Sequence, residues 1–75
     1  MLKVGKWYRL KTKTTIVIFV YDTFQSELDG EWVRVIVRNN DKYNYNGYRK
    51  DFSNTEKSYK PSDWDKRQTI KFIWK

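Results

Sequence analysis

The amino-acid sequence predicts an all-β fold: a small five-stranded, partly open antiparallel barrel with one short helical turn before the last strand. Three observations lead there. Apolar and polar residues alternate with period two along most of the chain, as half-buried strands require. The apolar runs are short and dominated by Val, Ile, Phe, Tyr and Trp, which suit a pleated surface. Turn-forming pairs such as Asp29-Gly30 and Asn39-Asn40 separate the runs at intervals too short for crossover helices. At 75 residues the chain has room for a single domain spanning 1–75.

The first strand is expected over residues 6–11, Lys-Trp-Tyr-Arg-Leu-Lys, with Thr12-Lys13-Thr14 as its turn. Residues 15–21 then form a buried strand, too short for a helix. A polar loop over 25–30 closes on Asp29-Gly30. The clearest strand is 31–38. There Val33, Val35 and Val37 share one face, while Trp32, Arg34, Ile36 and Arg38 share the other. With the valines in the core, a Trp and two Arg stand in a row on the outer face.

After a turn at 39–41, residues 43–52 are expected as a strand or short hairpin that bends at Gly47. Residues 53–60 read as a polar connection. Pro61-Ser62-Asp63-Trp64-Asp65 has the marks of one helical turn, with Ser62 as N-cap and Asp65 three residues on. Trp64 is the expected anchor of that turn on the barrel. Residues 69–74 alternate again, with Ile70, Phe72 and Trp74 on one face, and supply the last strand. Phe19, Phe72 and Trp74 are the expected aromatic core.

Charge and composition bound the chemistry. The chain carries 16 Lys and Arg against 9 Asp and Glu, a formal net charge of +7, with 19% aromatic residues and neither Cys nor His. A Ser-His-Asp triad, a thiol nucleophile, a zinc site of the usual ligands and a disulfide are therefore excluded. Leu, Ile, Val and Phe together exceed the roughly 20% floor below which highly charged chains stay disordered. Residues 1–6 hold no apolar run of signal-peptide length, and the longest apolar stretch is Ile16 to Tyr21. A soluble, intracellular protein without a membrane partner is expected.

The order of elements resembles the Src-homology-3-like barrels, where a helical turn lies between the fourth and fifth strands. Residues 59–64, Tyr-Lys-Pro-Ser-Asp-Trp, look like that family's Pro-Ser-Asn-Tyr turn. Residues 20–24, Val-Tyr-Asp-Thr-Phe, look like its Ala-Leu-Tyr-Asp-Tyr segment. The resemblance implies a groove for proline-rich ligands lined by Tyr21, Trp32, Pro61 and Trp64. Barrels of this shape also serve as nucleic-acid modules, so fold alone does not choose the partner.

Basic residues concentrate in strands. Residues 1–20 hold Lys3, Lys6, Arg9, Lys11 and Lys13 with no acid, whereas residues 21–31 hold Asp22, Glu27, Asp29 and Glu31 with no base. Basic strands interleaved with aromatics suit nucleic acid, because Lys and Arg neutralise phosphates while exposed rings stack bases. The expected surface joins Trp32, Arg34 and Arg38 to Tyr43, Tyr45, Tyr48, Arg49 and Lys50, with Trp7 and Arg9 as a second platform. The same residues also read as a solvated sheet face with tyrosines covering the barrel ends.

An enzyme is not expected. Asp63 and Asp65 are the only suggestively spaced carboxylates, and they fall in a first helical turn where acids are favoured for structural reasons. Gly5, Gly30 and Gly47 stand alone and form no phosphate loop. No cofactor or metal is expected. The favoured function is binding of DNA or RNA with little sequence specificity, by a monomer or weak dimer. The alternative is a protein-interaction module, an adaptor or virus-encoded inhibitor docking on a larger host protein, using Tyr21, Glu27, Asp29, Trp32, Pro61 and Trp64.

Overall fold

The computed structural model describes residues 1–28 and 30–73. Five strands precede one helix: β1 (Trp7–Leu10), β2 (Ile16–Ser26), β3 (Gly30–Asn39), β4 (Lys42–Arg49), β5 (Thr55–Glu56) and α1 (Asp63–Ile73). They build one antiparallel sheet in the order β4-β3-β2-β1-β5. The fold is mostly β as predicted, but the sheet does not close into a barrel.

The long β2–β3 ladder is the spine of the sheet, running from Ile16↔Asn39 to Ser26↔Gly30. Valine alternation decides its core face. Val33 and Val35 are fully buried and Val37 nearly so, packed with Ile18, Val20, Tyr8 and Leu2 and flanked by Ile16, Tyr48 and Phe52. Leu2 reaches this layer because its amide donates to the Lys50 carbonyl at 2.9 Å, which draws the N-terminal segment across to the end of β4. A bulge at Tyr21, between Val20 and Asp22, shifts the register of β2. It breaks the strict alternation and puts Asp22 opposite Arg34, whose face is the one turned away from the valines.

Gly30 (φ +86°) and Asn40 (φ +58°) occupy the left-handed region where the chain reverses between strands. Gly47 lies within β4, paired with Arg34, rather than at a hairpin.

The C-terminal third corrects the sequence expectation. The segment 53–60 is not only a connection, since Thr55 and Glu56 pair with Leu10 and Arg9 as β5. Residues 69–73 are helical rather than a last strand, so the helix follows the fifth strand instead of preceding it. Trp74 lies outside the described residues. The expected N-cap is present and propagates much further than one turn. The Asp65 amide donates to Ser62 Oγ at 3.1 Å, and the Ser62 amide donates back to Asp65 Oδ2 at 3.2 Å. This reciprocal capping box, with Asp standing where Glu is usual, satisfies donors that a helix start leaves open. Asp63 and Asp65 at the start and Lys71 at the end also complement the helix dipole.

One side of α1 meets the sheet through Asp65, Thr69 and Phe72, spaced i, i+4 and i+7. Asp65 and Thr69 are buried, and the Phe72 ring packs against Tyr43 and Tyr45. Trp64, the expected anchor, is 52% exposed. Asp65 and Phe72 hold the helix instead. The expected aromatic core is likewise corrected: Tyr8 is the aromatic that is fully buried, while Phe19 and Phe72 are half-buried on the opposite face of the sheet.

Candidate functional site

Helix α1 meets the outer face of the sheet at Arg38, Tyr43 and Tyr45. Tyr43 donates its hydroxyl to Asp65 Oδ1 at 2.8 Å, and Tyr45 donates to the Phe72 carbonyl. Arg38 brings its Nε to 2.8 Å from Asp65 Oδ1, while its other nitrogens donate to the Asn40 carbonyl (3.1 Å) and the Tyr59 hydroxyl (2.8 Å). Tyr59 in turn donates to Asp65 Oδ2. Burial alone would raise the Asp65 pKa. The hydrogen bonds from Tyr59, Tyr43 and the Ser62 amide, with the Arg38 charge, outweigh it and hold the carboxyl below the ordinary range. The same cluster works in reverse on its donors: burial first, then the bond to Asp65, pushes the Tyr43 and Tyr59 phenols up.

Every cation of the expected interface has a carboxylate partner. Arg9 lies 3.6 Å from Glu56, Arg34 3.0 Å from Asp22, Arg49 3.4 Å from Asp51 and Lys50 2.9 Å from Glu31, beside the Arg38–Asp65 pair. Arg34 also covers the Phe24 ring at 4.3 Å, and Trp32 stacks on that ring from the neighbouring strand at 6.5 Å. Tyr48 does not stand on the outer face at all. It packs on Phe52 at 4.8 Å against the valine core, and burial raises its phenol pKa. The expected surface is thus dispersed between a neutralised face, a helix contact and the core.

The alternative protein-binding set is also divided. Tyr21 edges Tyr45 at 6.3 Å, and the two share a shallow cleft with Phe24 and Arg34. Trp64 stands on the exposed side of α1, and Glu27 is exposed in the β2–β3 turn. No contact among the described residues joins Pro61 and Trp64 to Tyr21 and Trp32. Asp29 lies outside the described residues.

A different basic-aromatic site is present around Trp7. Residues Lys3-Val4-Gly5-Lys6 form a tight turn in which the Lys6 amide donates to the Lys3 carbonyl at 3.3 Å. Gly5 takes φ +84° at the third position, the hallmark of a type II turn. Lys3 and Lys6 therefore flank the entry to β1. The β1–β5 ladder supplies the other wall. Arg9↔Glu56 and Leu10↔Thr55 run antiparallel, so continuing past Glu56 carries Lys57 and Tyr59 back alongside Tyr8 and Trp7.

These pieces border a half-open cavity of about 400 Å³ lined by Lys3, Gly5, Lys6, Trp7, Tyr8, Lys57 and Tyr59, with no carboxylate in the lining. The Trp7 ring rests on Phe19 at 4.9 Å and meets Tyr59 at 6.1 Å, tilted by 41°. None of the three lysines has an ion-pair partner among the described residues. Of the expected site residues, only Trp7 lines this cavity. Lys3, Lys6, Tyr8, Lys57 and Tyr59 were missed. The Lys-Val-Gly-Lys spacing and the adjacent Lys6-Trp7 pair are signals that point to one wall, but nothing local in the sequence announces that residues 57–59 return to it.

Among the described residues there is no cluster of metal-ligating side chains, and no helix is long and apolar enough to cross a membrane. A scan against protein-family models, a search of curated proteins and a search of solved structures each return no match.

Proposed function

We propose that this chain is a non-catalytic binding module for nucleic acid, acting with little sequence specificity as a soluble intracellular protein. The observation that carries the proposal is the Trp7 cavity: three lysines without ion-pair partners among the described residues line it together with two aromatic rings, and no acid is among the lining residues. Lysines neutralise phosphates and release their counterions, while ring faces stack bases without regard to sequence. The likeness to Src-homology-3-like barrels belongs to the same proposal. It is supported by a five-stranded antiparallel sheet whose last strand returns to the first.

The geometry revises where binding is centred. The arginine row, expected to lead, carries carboxylates at each cation and contributes mainly background potential. About three phosphate contacts at the lysines give a slope of log K against log salt near −2 for a single strand. Protein docking through the acidic segment is the weaker reading, because Asp22 and Glu31 are already held by Arg34 and Lys50.

The test is fluorescence anisotropy of a labelled single strand and a labelled duplex at about 50 mM salt. Binding at micromolar protein that falls with added salt supports the reading. If neither probe binds, the reading is wrong.

A further inference from the structure

We infer that the Trp7 cavity is a site for one nucleotide unit, taking a base on its aromatic wall and the attached phosphate on its lysines. The inference rests on the proposed nucleic-acid function and narrows it to unpaired strands. Size is the first argument. A volume of about 400 Å³ falls at the lower end of small-ligand pockets, enough for a flat base and its phosphate. A paired base stays in its stack and does not enter such a space, whereas an unpaired one is free to leave it.

The lysines supply the second argument. Lys3, Lys6 and Lys57 line the cavity with no ion-pair partner among the described residues, and no carboxylate is among the lining residues to compete for them. A phosphate placed there meets cations that are free to neutralise it, and charge-assisted hydrogen bonds from their ammonium groups hold it.

The walls decide the remainder. Trp7 and Tyr59 meet at 41°, so their faces form a wedge rather than a closed sandwich. A base stacks on the open face of one ring rather than between the two, which already touch at 6.1 Å. Trp7 cannot retreat, since Phe19 backs it, and Tyr59 is fixed by its hydroxyl on Asp65. No Asn or Gln side chain is among the lining residues, so the bidentate base-edge contact those side chains make is missing.

The experiment is a ¹⁵N NMR titration of the whole chain with a nucleoside 5′-monophosphate, the matching nucleoside and inorganic phosphate, alongside anisotropy with a single strand. The monophosphate is expected to shift the Trp7 indole N–H and the Gly5 and Lys6 amides, and to bind at least about tenfold more tightly than the nucleoside. It should also displace the strand, with Lys3→Gln and Lys57→Gln weakening both. If the strand binds while the monophosphate leaves those signals unmoved, the nucleotide pocket is refuted and the broader function stands. If the monophosphate binds there and no strand does, the nucleic-acid reading fails while the pocket stands. Equal binding of nucleoside and monophosphate refutes the role given to the lysines.

Discussion

The hydroxyl of Tyr59 donates to the Asp65 carboxylate while the ring of the same residue stands 6.1 Å from Trp7. One side chain therefore joins the contact that seats α1 on the sheet to the wall of the basic cavity. Asp65 collects Tyr43, Tyr59, both polar groups of Ser62 and the Arg38 guanidinium, and it is nearly fully buried. Disturbing it should affect both stability and binding.

Asp65→Asn keeps the shape but removes the charge that Arg38 and the two phenols face. Breaking a largely buried ion pair with its hydrogen bonds should cost about 2–3 kcal/mol, at the lower end because Arg38 is partly exposed. In a domain of this size that lowers the midpoint of thermal unfolding by roughly 10 °C or more. Circular dichroism melts read the loss. An unchanged melting point contradicts the role given to the cluster.

The same carboxyl predicts the direction of acid destabilisation. Its pKa is lower when folded than the ordinary value near about 3.9, so its contribution is fully present above that value. It is lost as the pH falls below about 4 toward the folded-state pKa. Denaturant melts between pH 6 and about 2 should show this fall in the native chain, and a shallower one in Asp65→Asn.

Gly5→Ala tests the turn that flanks the cavity. An added Cβ meets no atom within 4 Å, so crowding contributes nothing. The backbone at φ +84° is the whole penalty, about 1 kcal/mol. Relaxation of the turn should also separate Lys3 from Lys6 and weaken strand binding. Chemical denaturation and anisotropy on the same variant read the two effects.

Much of the sheet was legible because its determinants are local. The valines at 33, 35 and 37 declare their strand and its core face, and Ser62 with Asp65 declares the helix start. The length of α1 was not legible. Its sheet-facing stripe is Asp65, Thr69 and Phe72, two of them polar, so a search for apolar periodicity passes over it. Ile70 and Phe72, spaced two apart, present a strand-like alternation instead. The site was missed for a related reason. Sequence shows which residues are cationic, but pairing is tertiary: Arg34 meets Asp22 across the ladder, and Arg38 meets Asp65 from a different element. Lys3, Lys6 and Lys57 acquire significance only because β5 returns to β1. The Tyr21 bulge, which puts Asp22 opposite Arg34, has no sequence signal that period-two alternation can read.

The central claim is that the lysines around Trp7, and not the arginine row, engage nucleic acid. The decisive measurement compares salt-dependent single-strand affinity of two triple variants, Lys3→Gln/Lys6→Gln/Lys57→Gln and Arg34→Gln/Arg49→Gln/Lys50→Gln, against the native chain. Both sets remove three positive charges from exposed or half-buried positions, so non-specific charge effects are matched. The first is expected to lose at least about tenfold in affinity at about 50 mM salt and to flatten the salt slope from near −2 toward zero. The second is expected to stay within about threefold with its slope preserved, since its cations are already paired. Equal losses in the two variants, or a greater loss in the arginine set, would contradict the claim.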